Sequence, residues 1–333
     1  MANDNANDMK TTRALLPFLF VLFGTAAHGA PQHTEPRLAV QLWSVKGEIR
    51  RDFDGMLAKI ARLGFQGVEF AGQFGPYRQD PAGLKSALDK NGLQCAGAHV
   101  MPAQLAPQRF DATISFYRTL GCTNLVVPSD PRGALPDQSA ALARDLAALS
   151  TMLAAQGMRI GYHNHAPEMA GPVGGTPWDI IAQGTPPKVI LQQDVGWTVF
   201  AGKDPVAYIR RYPGRAVTVH FKAKLAPGAA GQPIIGRDRA DWEGLVRAVR
   251  ETGATEWIIV EQEDYPSGMG ELESVAASLA GLTEAMSRVT DRTLIRLVYG
   301  ESRISQCYKF ATAAPSLTLQ NQLPRSNPSW APY

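Results

Sequence analysis

Cysteine is scarce in this chain: Cys95, Cys122 and Cys307 are the three that occur among 333 residues. Cys95 lies inside an apolar, strand-like run, and Cys307 lies in a distant tail. The count is odd and the spacing shows no disulfide framework. We therefore expect buried or unpaired thiols rather than a structural disulfide.

Charged residues are also few, and they form no basic block. Asp, Glu, Lys and Arg make up 19% of the chain and the net charge is +3, whereas 45% of the residues are apolar. This composition argues against wholesale disorder and supplies enough apolar side chains for one large core. The dispersed charge gives no reason to expect nucleic acid or an anionic membrane surface as a partner.

The N-terminal part has an apolar run, Leu15–Phe23, that is too short to span a bilayer comfortably. Lys10 and Arg13 precede the run, and small residues follow it. This order is typical of a secretory signal, so we expect 1–30 to be a cleaved signal peptide, with Met9 as an alternative start. The predicted location is the periplasm or the exterior, without a stable membrane anchor. A retained anchor is the alternative.

No glycine-rich phosphate loop follows the first strand-like run, "RLAVQLWSV". Such a loop usually marks an open, doubly wound sheet. Instead, β-rich runs alternate with amphipathic stretches such as 52–64, which ends at Gly64, a suitable helix C-terminal cap. The alternation predicts a single-domain α/β fold, a closed (β/α)8 TIM barrel, over 31–288. The eight predicted strands are 37–45, 66–70, 94–100, 124–128, 158–165, 189–197, 216–224 and 257–264.

The last part of the chain, 289–333, changes in character. It is rich in Ser, Asn, Gln and Pro, and it holds no apolar period. Such composition is typical of a segment without a packed core. We expect a disordered C-terminal extension outside the barrel, or sequence that is foreign to the native domain.

Polar side chains accumulate at the carboxyl ends of the predicted strands, where barrel enzymes carry their active sites. Side chains two positions apart on a strand share one face, so pairs at this spacing point inward together. The fourth strand alone ends bare, at "VVP". The other seven strands supply Gln41, Trp43, Glu69, His99, His163, His165, Gln192, Asp194, His220, Lys222, Glu261 and Glu263.

Four of these residues suit one divalent cation: His163, Asp194, His220 and Glu261. They come from four successive strands and would converge at the barrel mouth. Burying several ionisable groups is costly unless something neutralises them, and a cation would do so. Two imidazoles and two carboxylates favour Mn²⁺, Co²⁺, Zn²⁺ or Fe²⁺ over Mg²⁺ or Ca²⁺. Ordinary hydrogen-bonded histidines are the alternative interpretation.

The remaining candidates surround the predicted metal site. His165 and Glu263 lie one step further out, where they would support the ligands or contact substrate. Rim salt bridges for Glu69 and His99, and core packing for the tryptophans, are the alternatives. The predicted substrate contacts are Gln41, Trp43, Glu69, His99, Trp197 and Glu263.

A family resemblance rests on these residues and their neighbours. The motifs are "LAVQLWSVKGEIRRDFDGMLAKIARLGFQGVEFAG", "GAHV", "YHNH", "QQDVGW", "VHFKAK" and "IVEQEDYP". In this order the chain resembles the xylose isomerase-like barrel superfamily, whose members are commonly labelled sugar phosphate isomerases/epimerases. The resemblance extends over roughly 37–287.

The resemblance implies one divalent metal held by Glu, Asp, His and Glu from strands five to eight. Asp194, His220 and Glu261 match the last three positions, whereas His163 stands where the epimerases have Glu. In keto-sugar epimerases two metal-bound glutamates flank the substrate, one removing a proton and the other returning it on the opposite face. His163 breaks that symmetric pair here.

The implied chemistry is proton abstraction next to the carbonyl of a keto-sugar or an oxidised glycoside. A bound metal would stabilise the developing enediolate. Glu261 and His165 are the candidate bases, and Lys222 would stabilise the oxyanion or protonate a leaving oxygen. Reprotonation would give an isomerase or epimerase. Loss of a β-oxygen would make the enzyme a lyase that releases the aglycone of a 3-keto-glycoside.

Two other classes of function remain open. An apurinic-site endonuclease shares this barrel but needs a histidine-rich trinuclear zinc site, and only four histidines lie in the predicted barrel. A non-catalytic periplasmic sugar-binding barrel would keep the ligand site without turnover. The expected partner is a small carbohydrate. The sequence does not show the oligomeric state; a homodimer is one option, because similar barrels often pair.

Overall fold

The structure is a computed structural model, and it describes residues 35–252 and 254–299. Eight parallel strands alternate with helices and form a nearly closed (β/α)8 barrel, which confirms the predicted fold class. The strands are β1 (Arg37–Gln41), β2 (Gly67–Phe70), β3 (Gln94–His99), β4 (Asn124–Val127), β5 (Arg159–His163), β6 (Ile190–Gln192), β7 (Thr218–Phe221) and β8 (Trp257–Val260).

The barrel closes through two different kinds of strand contact. β1 pairs in parallel with both β2 and β8, which joins the first and last strands. Between β6 and β7 the closure is a single parallel bridge that aligns Asp194 with His220. There the His220 amide donates to the Gln193 carbonyl at 2.9 Å. The single bridge between β6 and β7 therefore places two of the predicted metal ligands side by side.

Ten α-helices occur among the described residues, and local sequence explains several of their ends. Asp52 and Asp80 accept hydrogen bonds from the amides of Gly55 and Gly83, as N-capping carboxylates do. Gly64 ends one helix with φ of 102°, as its sequence position predicted. The helices are α1 (Lys46–Ile49), α2 (Phe53–Leu63), α3 (Pro81–Lys90), α4 (Pro107–Leu120), α5 (Pro136–Ala154), α6 (Pro177–Gly184), α7 (Val195–Phe200), α8 (Pro205–Arg211), α9 (Trp242–Thr252) and α10 (Glu271–Tyr299).

The last helix continues past the predicted barrel boundary at 288, so the first part of the expected extension is helical. Its N-terminus is tied to α1, because the Glu271 carboxylate accepts from the amides of Gly47 and Glu48 at 2.8 and 2.9 Å. Gly281 packs against the Ile235 carbonyl, where an added Cβ would come within 1.9 Å of the oxygen. The remaining extension and the expected signal peptide lie outside the described residues. Among the helices described, none has the length and apolar character needed to cross a membrane.

The structure corrects the expectation of unpaired thiols. Cys95, on β3, forms a disulfide with Cys122, which lies just before β4, and their Cα atoms are 5.0 Å apart. Neighbouring parallel strands bring the two residues together, although they are 27 positions apart in sequence. Sequence spacing could not reveal the pair because it depends on strand register. Cys307 lies outside the described residues.

This pairing predicts one free thiol in the denatured, oxidised chain and three after reduction. Removing the cross-link by the double change Cys95→Ala and Cys122→Ala should lower the free energy of unfolding by about 3.5 kcal/mol, the loop-closure entropy for a loop of this length. Thiol titration in denaturant and thermal unfolding with and without reductant would measure both effects. Reductant should not affect the double variant. Three titratable thiols before reduction, in protein exposed to oxidised glutathione, would contradict the pairing.

Candidate metal centre and active site

Four predicted ligands meet at the carboxyl end of the barrel. His163 ends β5, Asp194 follows β6, His220 lies on β7 and Glu261 follows β8. One ligand atom from each lies within 4.8 Å of all the others, and all four side chains are buried. His99, on β3, forms a second possible set with His163 and His220. The strand ends thus gather the nitrogen and oxygen donors that a divalent cation requires.

His220 is held between two carboxylates. Its Nε2 lies 2.6 Å from Glu69 Oε2, and its Nδ1 lies 2.8 Å from Glu261 Oε2. Burial alone would lower the pKa of His220, but the charges of Glu69 and Glu261 raise it to about 10. The ring therefore carries a proton on each nitrogen without a metal. Because Glu69 holds the Nε2 proton, Nδ1 is the nitrogen that can exchange its proton for a cation.

His163, in contrast to His220, is held in its neutral form. Its Nδ1 donates to Gln192 Oε1 at 3.1 Å, and its Nε2 lies 3.6 Å from Asp194 Oδ2. Burial and the nearby charge of His220 lower the pKa of His163 well below the usual value. The ring is therefore neutral, with the Nε2 lone pair directed toward the other ligands, as metal ligation requires.

Glu69 organises this network from beneath. Its carboxylate accepts hydrogen bonds from Gln41 Nε2 at 2.9 Å and from Gln192 Nε2 at 2.7 Å, besides that from His220. Burial would raise the pKa of Glu69, but the charges of His220 and His99 and these hydrogen bonds lower it to about 2. The side chain is fully buried. Glu69 orients His220 of the candidate metal site and also Gln192, which bonds to His163. Its substrate contact remains a prediction.

Lys222 places an ammonium among three carboxylates. Its Nζ lies 2.8 Å from Asp194 Oδ2, 2.9 Å from Glu261 Oε2 and 3.0 Å from Glu263 Oε2. Burial would lower the pKa of Lys222, but the charges of Asp194, Glu261 and Glu263 raise it, so the amine stays protonated. Lys224 Nζ also lies 3.9 Å from Glu263 Oε2, so these three carboxylates face two ammonium groups, and a divalent cation would offset the remaining negative charge.

Asp194 gives a further test of whether a cation fits. Its Oδ1 accepts from the Trp197 amide at 2.8 Å as the N-cap of α7, and its own amide donates to Asn164 Oδ1 at 2.8 Å. Its Oδ2 is buried and has no hydrogen bond within the described part of the chain, because Lys222 approaches it at an unfavourable angle. A buried carboxylate oxygen that is fixed in place but lacks a hydrogen bond suits a metal. Asn164, the residue between the two histidines of "YHNH", is a positioning residue that the sequence analysis missed.

A cavity of about 420 Å³ opens over the cluster, a size typical of small-molecule sites. The predicted residues that line it are Gln41, Trp43, His99, His163, His165, Glu261 and Glu263. The wall also contains Ala71, Gly72, Met101, Gln104, Pro128 and Ser129, none of which was predicted. Pro128 and Ser129 follow β4, so the strand expected to end bare does contribute. Neutral and small residues carry no chemical signal in a sequence, which explains these omissions.

Two predicted residues lie beside the cavity rather than in its wall. The ring centroid of Trp197 is 5.5 Å from that of His165, and Lys224 Nζ lies 4.1 Å from the centre of the indole. Lys222 is covered by the carboxylates that surround it. The substrate contact of Trp197 remains a prediction. Lys222 is connected to the cavity by its ion pair with Glu263, a residue of the cavity wall.

Comparison with known proteins agrees with this architecture. The sequence profile described as the xylose isomerase-like TIM barrel matches residues 57–285. The chain belongs to this family. A solved structure titled as a sugar phosphate isomerase/epimerase, from Parabacteroides distasonis, has a TM-score of 0.64 at 22% identity, over 75% of this chain and 97% of that one. At that identity the likeness shows the fold.

Curated relatives of this family member include an inosose dehydratase and a rhizopine catabolism protein. An inosose dehydratase from Lacticaseibacillus casei is 26% identical over 254 residues, 65% of this chain and 83% of the relative. The rhizopine catabolism protein MocC from Rhizobium meliloti is 25% identical over 250 residues, 63% of this chain and 74% of the relative. Together with the family match, these relatives support a sugar-modifying enzyme with a small carbohydrate substrate.

The cluster predicts that a divalent metal stabilises the folded protein. With Mn²⁺ or Co²⁺ at about a hundred times its dissociation constant, the free energy of unfolding should rise by about 2.7 kcal/mol. Asp194→Asn keeps the capping oxygen but loses the carboxylate charge, so it should abolish most of this gain. His165→Ala, outside the set of four, should retain it. Thermal unfolding with and without metal measures the effect, and equal stabilisation of Asp194→Asn and wild type would contradict the assigned ligand.

The Glu69 contact with His220 predicts a second effect on metal binding. Glu69→Gln keeps the size of the side chain but removes the charge that holds the Nε2 proton, so metal affinity should fall about 10- to 100-fold. Glu168→Gln is the matched control, because Glu168 is also buried but its carboxylate accepts from Tyr162 and the His165 amide. Titration calorimetry would compare the two. A similar loss in both variants would show a general effect of removing a buried charge.

Proposed function

We propose that this protein is a divalent-metal-dependent lyase that acts on an oxidised glycoside or a related cyclic keto-sugar. The observation that supports this proposal most strongly is a four-donor cluster beneath a cavity that also holds His165, a base candidate outside the cluster. The reaction removes a proton next to the carbonyl and then expels a β-oxygen. Mixed nitrogen and oxygen donors favour Mn²⁺, Co²⁺, Zn²⁺ or Fe²⁺ as the cation.

His163, Asp194, His220 and Glu261 would hold the metal, and when bound it would act as a Lewis acid that polarises the substrate carbonyl. The protein's own groups provide the proton transfers. His165 lines the cavity, and its ring centroid is 5.0 Å from that of His163. The Glu168 carboxylate accepts from the His165 amide at 2.9 Å and so fixes the backbone that carries this base.

The bonds change as follows for a 3-keto-glycoside. His165 takes the proton from C2, and the electron pair of that C–H bond forms the C1–C2 double bond as the C1–O bond breaks. The departing oxygen receives a proton that originates on the Lys222 ammonium and passes through the Glu263 carboxylate, 3.0 Å away, which lines the cavity. The products are an unsaturated keto-sugar and the free aglycone. Addition of water to the double bond would give net hydrolysis.

Elimination is favoured over epimerisation by the asymmetry of the site. An epimerase returns the proton from the face opposite to its removal and therefore needs a second base there. His163 has a neutral ring whose Nδ1 is engaged with Gln192 and whose Nε2 faces the ligand cluster. It is therefore unsuited to that role. The dehydratase names of the curated relatives also support loss of a β-oxygen.

A phosphorylated substrate does not suit this cavity. The described residues of its wall include the carboxylates of Glu261 and Glu263 but no Lys or Arg. A phosphate dianion would meet like charge without a cationic side chain to bind it. We therefore infer a substrate without phosphate, which is also what the proposed export would require.

The proposal predicts metal-dependent release of aglycone. The full chain, stripped of metal and reloaded with Mn²⁺ or Co²⁺, would be incubated with inosose, simple ketoses and 3-keto-glucosides in D₂O and followed by proton NMR. We expect free aglycone and an unsaturated keto-sugar only with metal. His165→Ala should lower the rate about 10²- to 10⁴-fold, the usual contribution of a general base, without losing metal affinity.

Other outcomes separate the alternatives. Deuterium beside the carbonyl with the sugar otherwise intact would indicate an isomerase or epimerase. Metal-independent tight binding of these sugars without any turnover or exchange would favour the non-catalytic sugar-binding barrel. Unchanged turnover in His165→Ala would assign the base to another residue, with Glu261 as the next candidate.

A further inference from the structure

We propose that the side of the cavity formed by the loops after β1 to β4 is a binding subsite for an apolar, aromatic aglycone. This inference rests on the proposed function, because it assigns the leaving group of the same reaction. It concerns a part of the cavity that neither the metal cluster nor the proton transfers use. Its central residues are Trp43 and Met101.

The cavity wall divides by charge. The loops after β5 and β8 supply His163, His165, Glu261 and Glu263, which are the groups that the reaction requires. The loops after β1 to β4 supply neutral residues to the outer wall: Trp43, Ala71, Gly72, Met101, Gln104, Pro128 and Ser129. A keto-sugar whose carbonyl lies at the cluster therefore directs its remaining substituent toward an uncharged surface.

Two large apolar side chains are exposed on this neutral side. Trp43 is 38% exposed and Met101 is 48% exposed, and they are two of five large apolar side chains left exposed in the described part of the chain. Single exposed apolar residues are ordinary, but two in the wall of one cavity suggest a ligand that covers them. Indole and thioether groups both pack favourably against aromatic rings.

On this neutral side there is open space beside Gly72, and the ring of Trp43 is restrained by a neighbouring side chain. Gly72 has a φ of 90°, and a Cβ placed there would meet no atom of the described structure within 4 Å. Lys46 Nζ lies 4.6 Å from the centre of the Trp43 indole, a cation–π contact that restrains the ring. A restrained ring beside open space is a preorganised stacking surface, which lowers the entropy cost of binding.

The test compares two glycosides that cannot undergo elimination. Titration calorimetry would measure binding of phenyl and methyl β-D-glucopyranoside to the full chain in the presence of Mn²⁺. We expect the phenyl glycoside to bind about tenfold more tightly. Trp43→Ala and Met101→Ala should each reduce this preference at least threefold. Met152→Ala is the matched control, since Met152 is 49% exposed but lies on α5 away from the cavity, and it should keep the preference.

Equal affinity for the two glycosides, or no measurable binding of either, would overturn the subsite, as would a preference that persists in both Trp43→Ala and Met101→Ala. A second measurement, phenol release from phenyl 3-keto-glucoside, tests the proposed function separately. A binding preference without phenol release would support the subsite and count against the lyase. Phenol release without a binding preference would support the lyase and count against the subsite.

Discussion

An excess of buried negative charge at the mouth of the barrel is the constraint on which the site depends. Asp194, Glu261 and Glu263 surround the ammonium of Lys222, and Glu69 is fully buried nearby. The second ammonium, that of Lys224, lies 3.9 Å from Glu263. Without compensation, charges at such depth would cost several kcal/mol each. The imidazolium state of His220 offsets part of this charge without a metal, and a bound cation could take that role by displacing one ring proton.

The barrel brings these charged residues together where β6 meets β7, the strand pair with the fewest backbone contacts. Between β6 and β7 the strands meet by a single bridge at Asp194 and His220, so two ligands become neighbours as the barrel closes. Asn164 and the N-terminus of α7 fix Asp194, while Glu69 and Gln192 fix the two imidazoles. Three of the four candidate ligands are thus oriented by partners that lie outside the cavity wall. Such preorganisation is what a metal site needs to keep its geometry before the ion arrives.

The sequence was sufficient for the architecture and for the cluster of four candidate ligands. Strand periodicity and the order of elements predict a barrel with polar residues at the strand ends, and the structure places His163, Asp194, His220 and Glu261 together there. The sequence could not show what depends on register between strands. The Cys95–Cys122 disulfide is one such case. The hydrogen bonds of Glu69 are another, because they join β2 to His220 on β7 and Gln192 on β6, which are distant in sequence.

His163 affects both the net charge of the candidate ligand set and the preference for elimination over epimerisation. Two imidazoles and two carboxylates would leave a divalent ion formally neutral, whereas a third carboxylate in place of His163 would leave a net negative charge. A less negative ligand set favours the build-up of charge on a neighbouring oxygen and so assists proton removal beside a carbonyl. The same substitution takes away a second carboxylate base. In the proposed lyase this combination would strengthen acidification of the substrate and weaken return of the proton from the opposite face, and both effects would favour loss of the β-oxygen.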